Sequence, residues 1–265
     1  MSTLSYAVTD SATMLRRQFR HMVRYPSMTL MLAGMPIVFL LLFVYVFGGT
    51  LGNGLGGASG GRAAYVNYVA PGILLMTVAA AAQGTAISVA MDMTEGIIAR
   101  FRTMAIARVS VLTGHVVGSM IQTLLSMAVV IGVALLIGFR PTAGPVDWIL
   151  TAGVLAMITF ALIWLSVALG MVTKSVETAS NLPMPLVMLP FLGSGFVPTD
   201  SMPIGLRWFA EYQPFTPIIE TIRGLLMGTS IGNSGLLAVV WCAGITAVGY
   251  LWAKKLFNRD PSPSR

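Results

Sequence analysis

The chain has 265 residues, of which 56% are hydrophobic and only 9% are charged, against about 25% in an average soluble domain. Sixteen Lys/Arg and nine Asp/Glu cannot supply the polar surface that a soluble fold of this size needs. The composition therefore excludes a soluble enzyme and a disordered chain, and it predicts an all-α integral membrane protein with little mass outside the bilayer.

The N-terminal stretch 12–25 has the pattern of an amphipathic helix. Leu15, Phe19 and Met22 recur at i, i+4 and i+7, and four arginines fall on the other side. Such a helix lies in the membrane interface, with its cationic side chains at anionic lipid headgroups. It could serve only as an anchor, or it could also contact a cytoplasmic partner.

Six apolar runs predict six transmembrane helices. A helix needs roughly 20 apolar residues to cross the hydrocarbon core, and helices are expected because lipid offers an open backbone no hydrogen-bond partners. The fifth run is short and contains Pro183, Pro185 and Pro190. The first run is long enough to remain as an anchor rather than to act as a cleaved signal peptide. The predicted spans are 28–48, 69–91, 115–138, 148–172, 181–197 and 236–253.

The distribution of charge predicts the orientation. With six spans both termini lie on one side, and that side carries twelve of the sixteen basic residues but only five of the nine acidic ones. By the positive-inside rule, both termini are cytoplasmic in a multi-pass protein of the cell membrane. The net charge of +7 therefore indicates orientation and contact with membrane lipids, and no nucleic-acid partner is expected. The twelve residues are Arg16, Arg17, Arg20, Arg24, Arg100, Arg102, Arg108, Lys174, Lys254, Lys255, Arg259 and Arg265.

The cytoplasmic loop 92–113 predicts a short helix in the region 95–108. Ile97, Phe101 and Met104 share one helical face by their spacing, and three arginines make the stretch basic. One interpretation is a solvated hairpin that links two spans. The other is a helix parallel to the membrane that docks into a groove of another protein, where its apolar side chains find a partner.

The stretch 193–226 is too apolar for a solvated loop and too rich in Gly and Pro for another full span. We predict a re-entrant or interfacial helical hairpin over 198–226, with Trp208 and Tyr212 in the headgroup belt. Non-helical backbone at membrane depth is either buried in protein or lines a cavity. The hairpin is therefore either an exit gate or a structural outer cap. The candidate gate residues are Phe196, Pro198, Phe209, Pro214 and Phe215.

Several kinds of chemistry are missing from the sequence. The spans carry no Asp, Glu, Lys or Arg near their centres, which disfavours proton- or ion-coupled transport. The polar Gln83 either bonds within the bundle or meets a substrate. The histidines and the single cysteine lack metal-ligand spacing, and the stretch 170–175 lacks the glycine that a phosphate loop has before Lys174. We expect no catalytic residue, metal or cofactor in this chain, so that a separate ATPase would have to drive uphill transport.

Two motifs resemble a known family, one in the cytoplasmic loop and one from the fifth run into the outer hairpin. In these motifs and in the order of its elements, nearly the whole chain is similar to type-2 ABC transporter permeases, and most of all to daunorubicin/doxorubicin-resistance exporters. Gln213 stands where Asn is frequent in that family. The motifs comprise Glu95-Gly96, Arg100-Phe101-Arg102-Thr103-Met104, Ala107-Arg108, Val111-Leu112, Pro190-Phe191-Leu192, Phe196-Val197-Pro198, Met202-Pro203, Phe209-Ala210, Gln213-Pro214-Phe215-Thr216 and Arg223-Gly224-Leu225-Leu226.

The resemblance implies a transmembrane subunit in which two copies of this chain pair. Each copy would bind one cytoplasmic ATPase subunit, which carries ATP and Mg. Facing second and fifth spans would line the path, and the candidate pathway residues are Gln83, Met184, Met188, Phe191 and Leu192. The helix that couples to the ATPase would include or adjoin Glu95, Gly96, Ile97, Arg100, Phe101, Arg102, Met104 and Arg108.

The expected cargo is a hydrophobic or amphipathic compound, such as a drug, an antibiotic or a lipid-like molecule, exported by alternating access. Apolar, Met-rich walls suit such cargo because Met repacks around varied shapes, although Met in a membrane helix commonly just faces lipid or the core. Export of a polysaccharide or glycolipid is an alternative within the family. A passive channel or a membrane scaffold without an ATPase is an alternative from another class.

Overall fold

The computed structural model describes residues 26–56, 61–94, 108–173 and 175–257. The described residues form helices and turns without a β-strand. Five stretches are long and apolar enough to cross a membrane: Leu32–Leu55, Arg62–Thr94, Val116–Leu136, Pro145–Val172 and Ser234–Phe257. These helices confirm the all-α membrane class. The predicted N-terminal helix 12–25 lies outside the described residues.

The ten α-helices of the described part follow one another with short connections. A π-helix at Phe43–Phe47 joins α1 and α2 into one rod, and a 3₁₀ turn at Thr199–Ser201 precedes α8. The helices are α1 (Pro26–Leu42), α2 (Gly48–Gly56), α3 (Arg62–Thr94), α4 (Arg108–Leu136), α5 (Pro145–Val172), α6 (Val176–Asn181), α7 (Met184–Met188), α8 (Ile204–Tyr212), α9 (Phe215–Met227) and α10 (Ser234–Phe257).

The fifth predicted run, 181–197, differs from the other five because it contains no long helix. It holds the end of α6, the five-residue α7 and then turns as far as Phe196. Its prolines explain the interruption, since Pro has no backbone N–H and disfavours helical conformation in the residue before it. We call residues 175–198 the broken segment.

Helices α3 and α5 form the interior of the bundle. In the most apolar 18-residue stretch of each helix, 72% of the residues are buried in α3 and 67% in α5. The corresponding fraction is only 22–28% in the first rod, α4 and α10. Helix α3 contacts α1, α4, α5 and α9 as well as both short helices of the broken segment. The less buried helices present exposed Leu, Val and Ile side chains, as expected of surfaces that face lipid or a second membrane chain.

Hydrogen bonds and packing show the direction of the helices. At one end, the backbone N–H of Thr142 donates to the carbonyl of Leu226 over 2.9 Å, so the α4–α5 connection lies beside the end of α9. At the other end, Val89, Met171 and Phe257 share one apolar cluster. Helices α5 and α10 therefore run parallel, and the residues between them return the chain to its starting end.

The outer hairpin predicted over 198–226 contains two helices of opposite character. Helix α8 is mostly exposed, and its Trp208 and Tyr212 are 67% and 64% exposed. Helix α9 is buried against α3, α5 and α10, and its Phe215 is fully buried. Only α9 thus belongs to the protein interior.

The broken segment approaches α3 most closely at two glycines, which yields a first prediction. A Cβ on Gly72 would lie 2.5 Å from the carbonyl oxygen of Gly195, whereas a Cβ on Gly84 of the same helix would meet no atom within 4 Å. We expect Gly72→Ala to lower the thermal stability of the detergent-purified protein, since overpacking typically costs about 1–3 kcal/mol. Gly84→Ala should leave stability unchanged or raise it slightly, because Ala favours a helix over Gly. Equal melting temperatures for the two variants would contradict this close contact.

Candidate transport pathway and outer gate

Five phenylalanines connect the first rod to the broken segment. The rings of Phe191 and Phe196 stack with centroids 4.4 Å apart and planes within 3°. Phe43 lies 4.6 Å from Phe196, and Phe39 lies 5.6 Å from Phe191. Phe47 follows at 5.6 Å from Phe43. Aromatic pairs of this kind contribute about 0.5–1.5 kcal/mol each beyond their burial, so this aromatic cluster is a firm contact between the two elements.

The phenylalanines that the first rod contributes to the cluster follow a regular spacing in the sequence, which our sequence analysis missed. Phe39, Phe43 and Phe47 are spaced by four residues, which places them along one side of a helix. The π-helix begins at Phe43 and so coincides with the contact. Short π-helical turns within α-helices are frequent at functional sites.

The predicted pathway residues do not converge on one place. Phe191 belongs to the aromatic cluster, whereas Met184, Met188 and Leu192 are 53%, 42% and 40% exposed on the surface of the protomer. The Nε2 of Gln83 donates to the carbonyl of Ser180 over 2.6 Å. Of the two interpretations of Gln83, the structure shows the bond within the bundle.

The predicted gate residues are also divided. Phe196 and Pro198 line a cavity of ≈ 220 Å³ at the α2 end of the first rod. We call it the outer cavity, after the side on which the charge distribution predicts it to lie. Phe209 is exposed on α8. Pro214 directly precedes α9, and Phe215, the first residue of that helix, is fully buried. Of the predicted gate residues, only Phe196 and Pro198 therefore line this cavity, and Phe215 belongs to the core.

Side chains of neighbouring helices bind the backbone of the broken segment. The Tyr65 hydroxyl donates to the carbonyl of Phe196 over 3.1 Å, next to the cavity. The buried Gln213 Nε2 donates to the carbonyl of Leu189 over 3.1 Å and to Thr216 Oγ1 over 3.2 Å. These bonds attach residues 189–196 of the broken segment to α3 and to the turn between α8 and α9.

Arg223 makes the contact that joins the most elements. Its Nη2 donates to the carbonyl of Ser194 over 2.6 Å and to that of Tyr68 over 3.2 Å. Its guanidinium carbon lies 3.8 Å from the centre of the Tyr68 ring, a cation–π geometry. The sequence analysis left this residue out of the twelve cytoplasmic basic residues, which counts it with the outer charges, and assigned it no role beyond its place in a family motif. An arginine in the apolar stretch that became α9 was nevertheless a visible signal.

The exposed Arg207 on α8 provides a contrast. It pairs with Glu211 and Asp200 at 2.6 Å each, and these carboxylates raise the pKa of its guanidinium. Because all three side chains are solvent-exposed, the pairs add little stability.

The predicted coupling residues fall at or before the start of α4. Glu95, Gly96, Ile97, Arg100, Phe101, Arg102 and Met104 lie outside the described residues. Arg108 is the first residue of α4. Their role in docking an ATPase stays a prediction.

Among the described residues, no group of three or more His, Cys, Asp or Glu side chains could hold a metal ion. The geometry instead provides apolar and aromatic surfaces in a bundle fastened by side-chain donors. Such surfaces can bind and guide apolar molecules, but they offer no general acid, general base or nucleophile at the cluster.

Comparisons with known proteins agree with this picture. Residues 10–227 match the family model described as ABC-2 type transporter. The chain is 28% identical over 245 residues to the daunorubicin resistance ABC transporter permease protein DrrB1 of Streptomyces coeruleorubidus, covering 91% of this chain and 83% of the relative. It is 26% identical over 219 residues to the probable doxorubicin resistance ABC transporter permease protein DrrC of Mycobacterium tuberculosis, covering 80% and 76%.

These matches confirm the resemblance predicted from the two sequence motifs. The relatives are permease subunits, which are transport components and not ATPases. Together with the long apolar helices, the match over most of the chain identifies a multi-pass membrane protein that works within an ABC system. The chain belongs to the ABC-2 type transporter family.

Proposed function

We propose that this chain is the transmembrane subunit of an exporter that moves a hydrophobic or amphipathic compound out of the cytoplasm. A separate cytoplasmic ATPase, carrying ATP and Mg, would drive the transport. Two copies of this chain would pair, each with one ATPase subunit. The names of the two relatives, which refer to resistance to daunorubicin and doxorubicin, support this class of cargo.

The aromatic cluster is the observation that carries the choice of cargo. Phe39, Phe43, Phe191 and Phe196 form a chain of ring contacts that leads to the outer cavity. The apolar part of a drug-like or lipid-like molecule can leave the lipid and contact these rings instead. This move leaves no polar group without a hydrogen-bond partner. A sugar polymer needs hydrogen-bond partners, and the Tyr65 hydroxyl beside the cavity already donates to the protein backbone. These contacts therefore favour apolar cargo over a polysaccharide.

We propose six membrane crossings, the fifth made by the broken segment. Ser180 bonds Gln83 and Gly195 touches Gly72, so the segment follows α3 for about eleven residues, or roughly 16 Å at 1.5 Å per residue. Helix α6 extends the path at one end, and residues 196–198 extend it at the other. Six crossings would place both termini on one side, which the charge distribution makes cytoplasmic.

In the proposed mechanism, α3 carries the motion from the ATPase to the outer gate. The region 95–108 lies between α3 and α4, so force applied there by the closing ATPase dimer would reach α3 directly. Helix α3 also bonds the broken segment through Gln83 and Tyr65. A rigid-body displacement of α3 would therefore move the aromatic cluster and switch access from inside to outside.

The docking step can be tested with Phe101→Asp and Arg102→Glu. We expect both changes to abolish co-purification with the ATPase, because they place negative charge on the predicted apolar and basic docking surface. Arg265→Glu makes the same charge reversal in the cytoplasmic tail and should retain the ATPase. Size-exclusion chromatography would establish that all three variants fold. Retention of the ATPase by both loop variants would refute the docking assignment.

The orientation can be tested by thiol labelling in intact cells. A membrane-impermeant maleimide should label Asn53→Cys from outside and should reach Thr103→Cys only after permeabilisation. Background labelling should be low, because the natural Cys242 is buried, and Cys242→Ala would remove it. The reverse labelling pattern would invert the proposed topology.

The link between α3 and the gate can be tested at Arg223. Arg223→Gln removes the charge that joins Tyr68, Ser194 and α9, so we expect ATP-dependent transport to fall at least tenfold, which corresponds to about 1.4 kcal/mol. ATPase co-purification should persist. Arg207→Gln removes the same charge from the solvent-exposed network and should leave transport near the original level. Equal transport by both variants would show that Arg223 does not couple the gate.

A further inference from the structure

We infer that the outer cavity is a binding site for one uncharged, apolar group of the exported compound, such as an aromatic ring or a short acyl stretch. The inference rests on the proposed function and adds a defined place on this chain where the cargo is held before release. Three observations carry it: the walls of the cavity, the state of its polar groups, and the residue it shares with the aromatic cluster.

The walls are mostly apolar and come from three elements. Helix α2 contributes Leu51 and Leu55, and the end of the broken segment contributes Val197 and Pro198. The inner wall consists of Phe196 and of Tyr65 from α3, which are 3% and 1% exposed.

Thr50, Gly54 and Ser201 also line the cavity, and these three residues are exposed. The lining of the cavity thus ranges from solvent-exposed residues to two buried rings.

The polar groups of the cavity already have partners in the protein. The Tyr65 hydroxyl donates to the carbonyl of Phe196, Thr50 Oγ1 donates to that of Phe47 over 3.0 Å, and Ser201 Oγ donates to that of Pro198 over 2.7 Å. An anionic or hydrogen-bond-accepting group would lose water without gaining a side-chain donor here, which is unfavourable. An apolar group loses nothing and gains contacts with the walls.

The volume limits how much of the cargo can enter. A dry apolar cavity of about 150 Å³ accommodates benzene, whereas whole drug-sized ligands occupy pockets of about 300–1,000 Å³. The ≈ 220 Å³ cavity therefore holds one ring or a short chain, and the rest of the molecule stays outside it.

Phe196 connects this site to the gate. It closes the inner side of the cavity and also stacks on Phe191 within the aromatic cluster. When the stack opens, a ring that has followed the cluster arrives in the cavity. Return of Phe196 to its stack would then separate the bound group from the interior, so that the cavity is the last apolar site before the outer surface.

A labelling experiment tests the apolar character of the site without knowledge of the cargo. Gly54 lines the cavity, Gly49 lies in the same helix outside it, and a Cβ at either position meets no atom within 4 Å. Gly54→Cys and Gly49→Cys, each with Cys242→Ala, would be reacted in membranes with N-phenylmaleimide and with a sulfonate-bearing methanethiosulfonate. We expect the ratio of aromatic to charged labelling to be about tenfold higher at position 54, a preference that partial burial of a phenyl ring can supply. Equal ratios would overturn the inference.

A transport experiment assigns the site to cargo or to lipid, since an acyl chain of the membrane has the same chemistry. Gly54→Phe adds a ring at the lining of the cavity and Gly49→Phe adds one in the same helix outside the lining. Both variants are assayed in the complete complex with daunorubicin as the fluorescent probe. A several-fold loss of export with Gly54→Phe alone, at unchanged ATPase co-purification, supports a cargo site. Unchanged export alongside a raised labelling ratio assigns the cavity to lipid and overturns the cargo inference. If the unmodified complex exports no daunorubicin, the proposal that this protein exports such a drug is refuted. The labelling ratio then still decides whether the cavity binds an aromatic ring.

Discussion

The outer half of this protein depends on one requirement of the membrane environment: backbone carbonyls that lose their helical partners need other hydrogen-bond donors. The irregular backbone of the broken segment presents such carbonyls, and side chains of other elements donate to them. Pro198, for example, lacks the N–H that would bond the carbonyl of Ser194 in a regular helix. Gln83 donates to Ser180, and Gln213 donates to Leu189. Arg223 donates to Ser194, and Tyr65 donates to Phe196. Four side chains from three different parts of the chain thus supplement the backbone hydrogen bonds that the segment makes internally, such as the bond from the N–H of Leu192 to the carbonyl of Leu189.

This way of satisfying the backbone gives the broken segment both a fixed position and a means of moving. A regular transmembrane helix is held by its own hydrogen bonds and shifts as a rod. The broken segment also receives hydrogen bonds from other elements, so a displacement of α3 would act on it through the side chains of Gln83 and Tyr65. The aromatic cluster links the same segment to the first rod. In the proposed mechanism, motion of α3 would therefore change the ring contacts, which are the apolar surface that cargo would meet.

The sequence was sufficient for the membrane class and the family. A charged fraction of 9% and long apolar runs lead to a helical membrane protein by composition alone, and two motifs pointed to the family that the comparison confirmed. The prolines of 181–197 also identified the irregular run, although the division into α6, α7 and turns depends on the donors that other helices supply.

The details of the site could not be obtained in the same way. Hydropathy assigns the same value to a phenylalanine that faces lipid and to one that stacks on Phe196, so Phe39 and Phe43 were missed. Phe215 has the sequence environment of a gate residue, yet the turn at Pro214 directs the helix that it begins into the core. Arg223 was counted as a charge on the outer side because only the folded chain brings Tyr68 and Ser194 to it. No local sequence pattern indicates a contact between residues that lie more than a hundred positions apart.

The contact between Gly72 and Gly195 also bears on how fast the protein can work. At this point two backbones touch without any side chains between them. Interlocked side chains would have to change rotamers before one element could slide past the other, whereas bare backbones present a nearly smooth surface. Displacement along α3 would then be resisted mainly by the hydrogen bonds of Tyr65 and Gln83 to the broken segment, so the kinetics of each proposed transport cycle would depend on breaking these bonds rather than on friction along α3.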